Sequence, residues 1–190
     1  MPILVILWLI FGVSHSLLAS TKVRTFFEKL SNNKPYLFRL IYNVIALIIL
    51  FLIVEKTMEL NELIPFFSDY FIIKLMGIAL ILSGIYVLFG VAKQMDLLAF
   101  FGFKNEEING DLMTDGWYKI VRHPLYFGLF LLFLGIFCVL PTIGIAISVV
   151  FSKLYILIGI EFEERKLKRV FGQNYAAFSK GKKKFIPFIY

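Results

Sequence analysis

The chain has 190 residues, of which 59% are hydrophobic and only 17% are charged, and its mean hydropathy is +0.83. These values lie far outside the balance of a water-soluble domain and exclude a soluble monomer. The net charge of +7 could indicate a nucleic-acid partner. In a membrane chain, however, basic residues more often record topology or contact anionic lipid, so we predict no nucleic-acid partner.

Five apolar segments run along the chain, and each is about long enough to cross a bilayer as a helix. They lack the alternation of a transmembrane barrel strand. We therefore predict an all-α polytopic membrane helix bundle with five transmembrane helices and a C-terminal cytoplasmic helix. The first segment follows no basic stretch, so we expect it to be retained and not cleaved as a signal peptide. The predicted segments are 2–19, 36–54, 70–91, 124–140 and 142–160.

No internal repeat, low-complexity tract or linker divides the sequence, so we expect a single domain over residues 1–190. The fourth and fifth segments are joined so tightly at Pro141 that they should form an antiparallel hairpin. The single cysteine, Cys138, lies inside an apolar segment, which excludes an intramolecular disulfide or a cysteine cluster.

Basic residues are unevenly distributed among the connections. Residues 20–35, residues 92–123 and the tail after residue 160 together hold 16 of the 20 Lys and Arg residues. The connection 55–69 carries one lysine against four acidic residues, and the turn at Pro141 carries no charge. Because Lys and Arg near the spans are retained in the cytoplasm, we predict an outside N-terminus and a cytoplasmic C-terminus.

Polar residues from several spans should share the depth of the cytoplasmic leaflet. His15 lies near the inner end of the first span, Asn43 about two turns into the second, and three acidic residues follow the fifth. Lys153 lies about 16 Å into the fifth span, near the bilayer centre, where an isolated charge is costly. It is interpreted either as a substrate or counter-ion contact or as a lysine facing a wet gap between helices.

The connection 92–123 combines apolar residues over 95–103 with acidic and basic ones. Such a segment should lie at the membrane interface, as an anchor or as a lid over a site.

The connection leads into a string from Gly116 to Gly128, in which Pro124 suits the first position of a helix. Arg122 and His123 then lie at a helix N-terminus, where an anion is favoured. The alternative to an anion site is that Arg122 and His123 form a basic anchor at the membrane interface before the span.

The fifth span is followed by acidic residues and then by basic ones. Glu161 with Arg165, and Glu164 with Lys168, have the i,i+4 order of surface ion pairs, which leaves Glu163 without such a partner. An unpaired carboxylate at this place could hold a ligand ammonium. The anion-holding and cation-holding ends together match the zwitterionic amino-acid part of S-adenosylmethionine.

Several motifs over residues 85–187 resemble the integral-membrane methyltransferases related to isoprenylcysteine carboxyl methyltransferase. Further matches over Gln94–Leu98, Tyr155–Ile160 and His15–Leu18 are most similar to the bacterial methanethiol S-methyltransferases within that superfamily. Lys153 and Met95 depart from the pattern of that subgroup. The motifs that carry the resemblance are Asp115-Gly116-Trp117-Tyr118, Arg122-His123-Pro124-Leu125-Tyr126, Glu163-Glu164 and Phe171-Gly172 before Tyr175.

The resemblance implies an S-adenosylmethionine pocket within about residues 85–190, between the hairpin and the C-terminal helix, and a bacterial or archaeal inner-membrane location. A metal site from His15, His123 and a glutamate has no short ligand spacing behind it, so we predict no metal. We also expect no obligate protein partner beside the lipid bilayer. The implied catalytic residues are Arg122, His123 and Tyr126. The implied cofactor-binding residues are Tyr118, His123, Pro124, Tyr126, Glu163 and Glu164. The candidate substrate residues are His15, Asn43, Gln94, Asp96 and Lys153.

The expected function is methyl transfer to a small or lipophilic acceptor, with a thiol favoured over a prenylcysteine-type carboxylate. A thiol must first lose its proton, for which His123 or His15 is a candidate base, whereas a carboxylate is already ionised. The alternatives from other classes are an NADPH-dependent membrane reductase and a non-enzymatic membrane protein. Binding of S-adenosylmethionine discriminates between them and the methyltransferase.

Overall fold

The computed structural model is helical throughout the parts of the chain that it describes, where no strand occurs and two isolated bridges are found. The all-α prediction is therefore confirmed for these parts. The described residues are 1–18, 20, 23, 26–27, 35–68, 70–101, 103–104, 112–187 and 189.

The helices follow the five predicted apolar segments closely, with short helical pieces between them. The longer helices are α1 (Pro2–Leu18), α2 (Pro35–Glu59), α4 (Phe71–Ala92), α6 (Pro124–Val139) and α7 (Ile143–Ser179). The short pieces are α3 (Pro65–Ser68), α5 (Leu97–Phe101) and a 3₁₀ turn at Gly116–Lys119.

Three of the described helices are long and apolar enough to cross a membrane by length and composition: α2, α4 and α7. The apolar helices α1 and α6 are shorter, with 17 and 16 residues. These helices support an integral membrane protein. The five-span count itself stays a prediction.

Helix α7 extends beyond the predicted fifth span, 142–160, and the predicted C-terminal cytoplasmic helix stays a prediction. Helix α7 spans 37 residues with a kink at Gly172, where the backbone is non-helical, with φ 50° and ψ −119°. The continuation follows from residues 161–169, which are mostly Glu, Arg, Lys and Leu and contain no Gly or Pro. These residue types favour a helix, so nothing ends it where the apolar segment ends.

The chain divides into two compact units, of which the first comprises residues 1–61 and 95–110 and the second residues 62–94 and 111–190. The first unit contains α1, α2 and α5. Its buried residues on α1 are Leu4, Trp8 and Phe11, which recur at the spacing of one helix face. This face packs within the first unit, where α1 contacts α2.

The second unit is built on a close contact between α4 and α6. A β-carbon placed on Gly84 would lie 2.8 Å from the carbonyl oxygen of Gly128, and one placed on Gly135 would lie 2.7 Å from that of Gly77. Each helix contributes two glycines seven residues apart, so the backbones meet along one seam. Close packing through small residues is a common means of helix association in membranes.

The hairpin at Pro141 brings α6 and α7 together, as its tight spacing predicted. The side chain of Thr142 caps α7 by accepting a hydrogen bond from the backbone N–H of Ile145 at 3.3 Å. The carbonyl oxygen of Pro141 accepts from Ile64 at 2.8 Å. Along α7, Ile156 and Ile160 then form a buried cluster with Phe185 from the end of the chain.

Candidate active site

The approach to the candidate site is a 3₁₀ turn that rests on the end of α4. Gly116 has a positive φ of 55°, and a β-carbon there would lie 1.9 Å from the side-chain nitrogen of Gln94. Gly90 is likewise close to Trp117, with 2.5 Å from a built β-carbon to the indole nitrogen. The positive φ of Gly116 favours glycine at the start of the turn, and the contact of Trp117 with Gly90 places the turn against the end of α4.

Pro124 occupies the first turn of α6, as the sequence predicted, and His123 is its N-cap residue. The backbone of His123 is non-helical, with φ −126° and ψ 66°, and its side chain makes no capping hydrogen bond to the helix. The side chains of Arg122 and His123 are therefore presented just before α6 begins.

Glu164 is the centre of the cluster formed by these residues. Its side chain is 3% exposed and accepts from Nη1 of Arg122 at 3.0 and 2.8 Å, through its two oxygens. Nε2 of His123 lies 3.0 Å from Oε1 of Glu164, and the hydroxyl of Tyr175 donates to the same oxygen at 2.5 Å. A buried carboxylate is thus compensated by a cation and by two further donors, which is what its burial requires.

The observed contacts correct three of our expectations. Glu164 does not form a surface pair with Lys168, because it faces inward toward Arg122. The anion that lies against Arg122 and His123 is therefore a carboxylate of the chain itself. Glu161 likewise pairs with Lys184 and not with Arg165.

His123 lies between two carboxylates, with Nδ1 3.5 Å from Oε2 of Glu163 and Nε2 directed at Glu164. Burial alone would lower the pKa of His123. The hydrogen bonds and charges of Glu163 and Glu164 outweigh that effect and raise the pKa above its ordinary value. The protonated imidazole is therefore favoured in this cluster.

Glu163 is the carboxylate of the cluster that remains accessible, since its side chain is 42% exposed whereas that of Glu164 is buried. It was predicted to have no partner, but His123 lies beside it. Burial, followed by the nearby charge of Glu163, raises the pKa of Tyr118 to about 12. Tyr118 is therefore a neutral hydrogen-bonding group next to an exposed negative charge.

Arg122 keeps one unused donor. Its Nε is buried and, among the described residues, has no hydrogen-bond partner. A buried N–H without an acceptor is costly and calls for an explanation such as a ligand oxygen. A ligand carboxylate fits this donor and the uncapped start of α6, while a ligand ammonium fits the exposed Glu163.

Tyr126 lies one turn into α6 on the side of the cluster. Its ring centroid is 6.0 Å from that of His123, and its hydroxyl would be 3.7 Å from a β-carbon on Gly159. The second unit thus brings together six of the residues that the resemblance implied. They are Tyr118, Arg122, His123, Tyr126, Glu163 and Glu164.

Three candidate substrate residues lie in the first unit and have partners there. His15 contacts the hydroxyl of Tyr42. The side-chain amide of Asn43 donates to the carbonyl oxygen of Phe101 at 2.8 Å, at the end of α5. Asp96 begins α5 by accepting from the backbone N–H of Ala99 at 3.1 Å, and it also pairs with Lys104.

The other two candidate substrate residues lie in the second unit. The side chain of Gln94 rests against Gly116. Lys153 is exposed at one end of an open, mostly apolar groove of about 620 Å³. Within the described part of the chain it makes no ion pair. The groove is lined by Lys153, Leu157, Ile158, Glu161, Phe162, Arg165, Phe185 and Ile186.

Tyr175 was part of the motif that carried the resemblance, but its contact with Glu164 was not predicted. The two residues are 11 positions apart, which is about 16 Å along a straight helix and too far for a direct contact. The kink at Gly172 lies between them and allows the chain to bring Tyr175 back to Glu164, so helical spacing alone could not have identified the contact. Among the described residues, no group of three or more His, Cys, Asp and Glu side chains could hold a metal ion.

The sequence profile described as phospholipid methyltransferase matches residues 72–174. Methanethiol S-methyltransferase of Pseudomonas deceptionensis is 35% identical over 112 residues, 58% of this chain and 40% of the relative. The enzyme of that name from Crocosphaera subtropica is 37% identical over 79 residues, 40% and 29% of the two chains. Methanethiol S-methyltransferase 2 of Bradyrhizobium diazoefficiens is 37% identical over 92 residues, 47% and 34%.

These matches therefore span less than half the length of each of these curated relatives. No solved structure matches the chain.

Proposed function

Because the chain belongs to the phospholipid methyltransferase family, we propose that it transfers a methyl group from S-adenosylmethionine to a small thiol. The observation that carries the proposal is that three relatives at 35–37% identity are named as methanethiol S-methyltransferases. The family match over residues 72–174 also includes the Arg122–His123 pair and both glutamates of the cluster.

The residues of the cluster fit the amino-acid part of S-adenosylmethionine. Glu163 is the accessible carboxylate and would hold the ammonium. The buried Nε of Arg122 and the uncapped start of α6 at Pro124 would hold the carboxylate. Tyr118 and Tyr126 would border the same pocket.

The cofactor supplies an electrophilic methyl group on a sulfonium sulfur, and no nucleophilic side chain of the protein is needed. The task of the chain is to align the acceptor and to compensate charge, which supply most of the rate in such a transfer. Glu164 performs part of this task indirectly, because it holds the side chains of Arg122 and His123 in place.

A thiol acceptor must lose its proton, and we propose His123 as the base in its neutral form, which becomes populated as the pH rises through its raised pKa. In the neutral imidazole, a proton on Nε2 would be donated to Glu164, which leaves the lone pair of Nδ1 directed toward Glu163 and the exposed side. A proton accepted at Nδ1 would then be stabilised by both carboxylates.

The sorting of basic residues supports a cytoplasmic position for the cluster. It lies in the connection before α6 and in the basic half of α7, both of which belong to the Lys- and Arg-rich parts of the chain. We propose that the cofactor enters from the cytoplasm and that the acceptor arrives from the membrane. The proposed location is the inner membrane of a bacterial or archaeal cell.

The acceptor is tested by incubating purified protein with labelled S-adenosylmethionine and, in parallel, methanethiol, a farnesylcysteine analogue and phosphatidylethanolamine. We expect label in dimethyl sulfide. Label in the farnesylcysteine ester or in the phospholipid, with none in dimethyl sulfide, would replace the thiol by a carboxylate or an amine acceptor. A Lys153→Met variant with unchanged thiol methylation would remove this lysine from the substrate residues.

Cofactor binding is tested independently by calorimetry in detergent. Glu163→Gln should weaken binding of S-adenosylmethionine by about 1–3 kcal/mol, the range for losing a charged hydrogen bond. Glu55→Gln, an exposed acid on α2 outside the cluster, is the matched control and should bind as wild type. Absence of binding to folded wild-type protein at millimolar ligand would contradict the methyltransferase proposal and leave the reductase and non-enzymatic alternatives.

A further inference from the structure

A short segment follows α7 and runs beside the backbone of Arg122 and His123. The carbonyl oxygen of Lys183 accepts a hydrogen bond from the backbone N–H of Arg122 at 3.0 Å, and that of Lys184 accepts from His123 at 3.1 Å. Val121 and Lys183 form an isolated parallel bridge. Residues 182–187, which we call the C-terminal strap, thus bind two consecutive residues of the cluster through their backbone.

The strap is anchored by Phe185, whose side chain is 1% exposed. It packs in one cluster with Ile156 and Ile160, and its ring centroid lies 5.4 Å from that of Phe130 on α6. Ile156 and Ile160 precede Glu164 at intervals of four residues and therefore share its face of α7. The anchor of the strap and the central carboxylate are consequently held by the same stripe of one helix.

Burial of the Phe185 side chain removes a large apolar surface from water and therefore favours the docked position of the strap. The ion pair of Lys184 with Glu161 adds little, because both side chains are partly solvated. Phe185 is therefore the part of the strap whose removal should release it.

We infer that the C-terminal strap positions Arg122 and His123 against Glu163 and Glu164, with Phe185 as its positioning residue. His123 has non-helical backbone angles, and its carbonyl oxygen accepts from the backbone N–H of Phe127 on α6 at 3.2 Å. The backbone N–H groups of Arg122 and His123 are held by the two carbonyl groups of the strap. The family match ends at residue 174, so the strap lies outside the matched region. The inference rests on the proposed function only where methyl transfer is measured.

The primary test measures the pKa of the His123 imidazole by NMR in detergent. The chain has two histidines, so a His15→Gln sample assigns the His123 signal. In Phe185→Ala the strap should loosen, the contacts with the two carboxylates should weaken, and the pKa should fall toward its ordinary value. Ile189→Ala, which changes a residue of the same tail that is 73% exposed, is the control and should keep the wild-type pKa.

The second readout is methyl transfer, which should fall about tenfold to a hundredfold in kcat for Phe185→Ala, as expected for a misplaced catalytic group, with a smaller change in KM. Phe185→Leu retains an apolar anchor and should recover most of both readouts. A His123 pKa equal to that of wild type in Phe185→Ala, despite a lower Tm, would show that Phe185 only stabilises the fold.

If Phe185→Ala does not fold, Phe185→Val, which shortens the apolar anchor more than Phe185→Leu does, takes its place: a His123 pKa displaced further than in Phe185→Leu supports positioning, and one equal to that of wild type overturns it. Absence of methyl transfer in wild type would remove the proposed function. The comparison of pKa values would still decide the role of the strap.

Discussion

At the scale of single residues, Glu164 determines the electrostatics of the cluster because its buried carboxylate accepts from Arg122, His123 and Tyr175. Glu164→Gln removes the negative charge and leaves the guanidinium buried without its counter-ion. We expect a loss of about 3–5 kcal/mol in the free energy of unfolding, the range for breaking a buried ion pair at one partner. Denaturant unfolding in detergent measures it.

Glu163→Gln is the matched control for that loss, because it is the neighbouring glutamate of the same helix and its side chain is 42% exposed. Its effect on the free energy of unfolding should stay within about 1 kcal/mol, as for exposed pairs. Equal losses in the two variants would contradict the central position of Glu164.

The raised pKa of His123 predicts how stability depends on pH. The protonated imidazole is favoured in the folded chain, so its contribution is complete below its ordinary value of 6.5 and is lost as the pH rises through the higher folded pKa. We expect the Tm of wild type to fall more between pH 6 and pH 9 than that of His123→Gln, because the variant has no titrating group at position 123. Parallel curves for the two proteins would contradict the raised pKa.

At the scale of helices, the close contact of α4 with α6 should tolerate no side chain at its glycines. Gly84→Ala places a β-carbon 2.8 Å from the backbone oxygen of Gly128, which the backbone can relieve only by moving apart. We expect a destabilisation of about 1–3 kcal/mol, as for overpacking of a close contact. Thermal unfolding in detergent measures the change.

Gly159→Ala is the matched control, since it is also a glycine-to-alanine change inside a helix and its β-carbon would be in ordinary contact at 3.7 Å with Tyr126. It should be neutral or stabilising, because alanine favours a helix by up to about 1 kcal/mol over glycine. A Gly84→Ala variant as stable as Gly159→Ala would show that α4 and α6 do not meet at this seam.

The helices themselves were largely predictable from local sequence, and the exceptions have physical reasons. Apolar runs predicted five segments, and Pro124 and Pro141 predicted the start of α6 and the turn before α7. The C-terminal cytoplasmic helix stays a prediction, and α7 continues past Ile160 because the polar residues there still favour a helix. A change from apolar to charged residues marks where the surroundings of a helix change from lipid to water, and the helix itself can continue.

At the scale of the whole molecule, the predicted topology can be tested with engineered cysteines, since the chain has one natural cysteine. In a Cys138→Ser background, Asn61→Cys should react with a membrane-impermeant maleimide in intact cells. Lys180→Cys should react only after permeabilisation, because its basic surroundings keep it in the cytoplasm. Labelling of Lys180→Cys in intact cells would contradict a cytoplasmic C-terminus.

The sequence by itself determined that this protein lies in a membrane, that it is helical, and which residue types form its candidate site. Composition and segment length are local properties, so they could be read directly, and the resemblance proposed Arg122, His123 and both glutamates as candidate site residues. The sequence could also order these residues along helices, since spacing fixes which of them share a face.

Only the tertiary structure decided which of these residues meet and in what state. Glu163 and Glu164 are neighbours in sequence with the same chemistry, yet one is exposed and the other compensates Arg122. The strap that holds His123 consists of residues 182–187, which lie far along the sequence from it. Such roles depend on burial and on contacts between distant parts of the chain, which no local pattern of residues specifies.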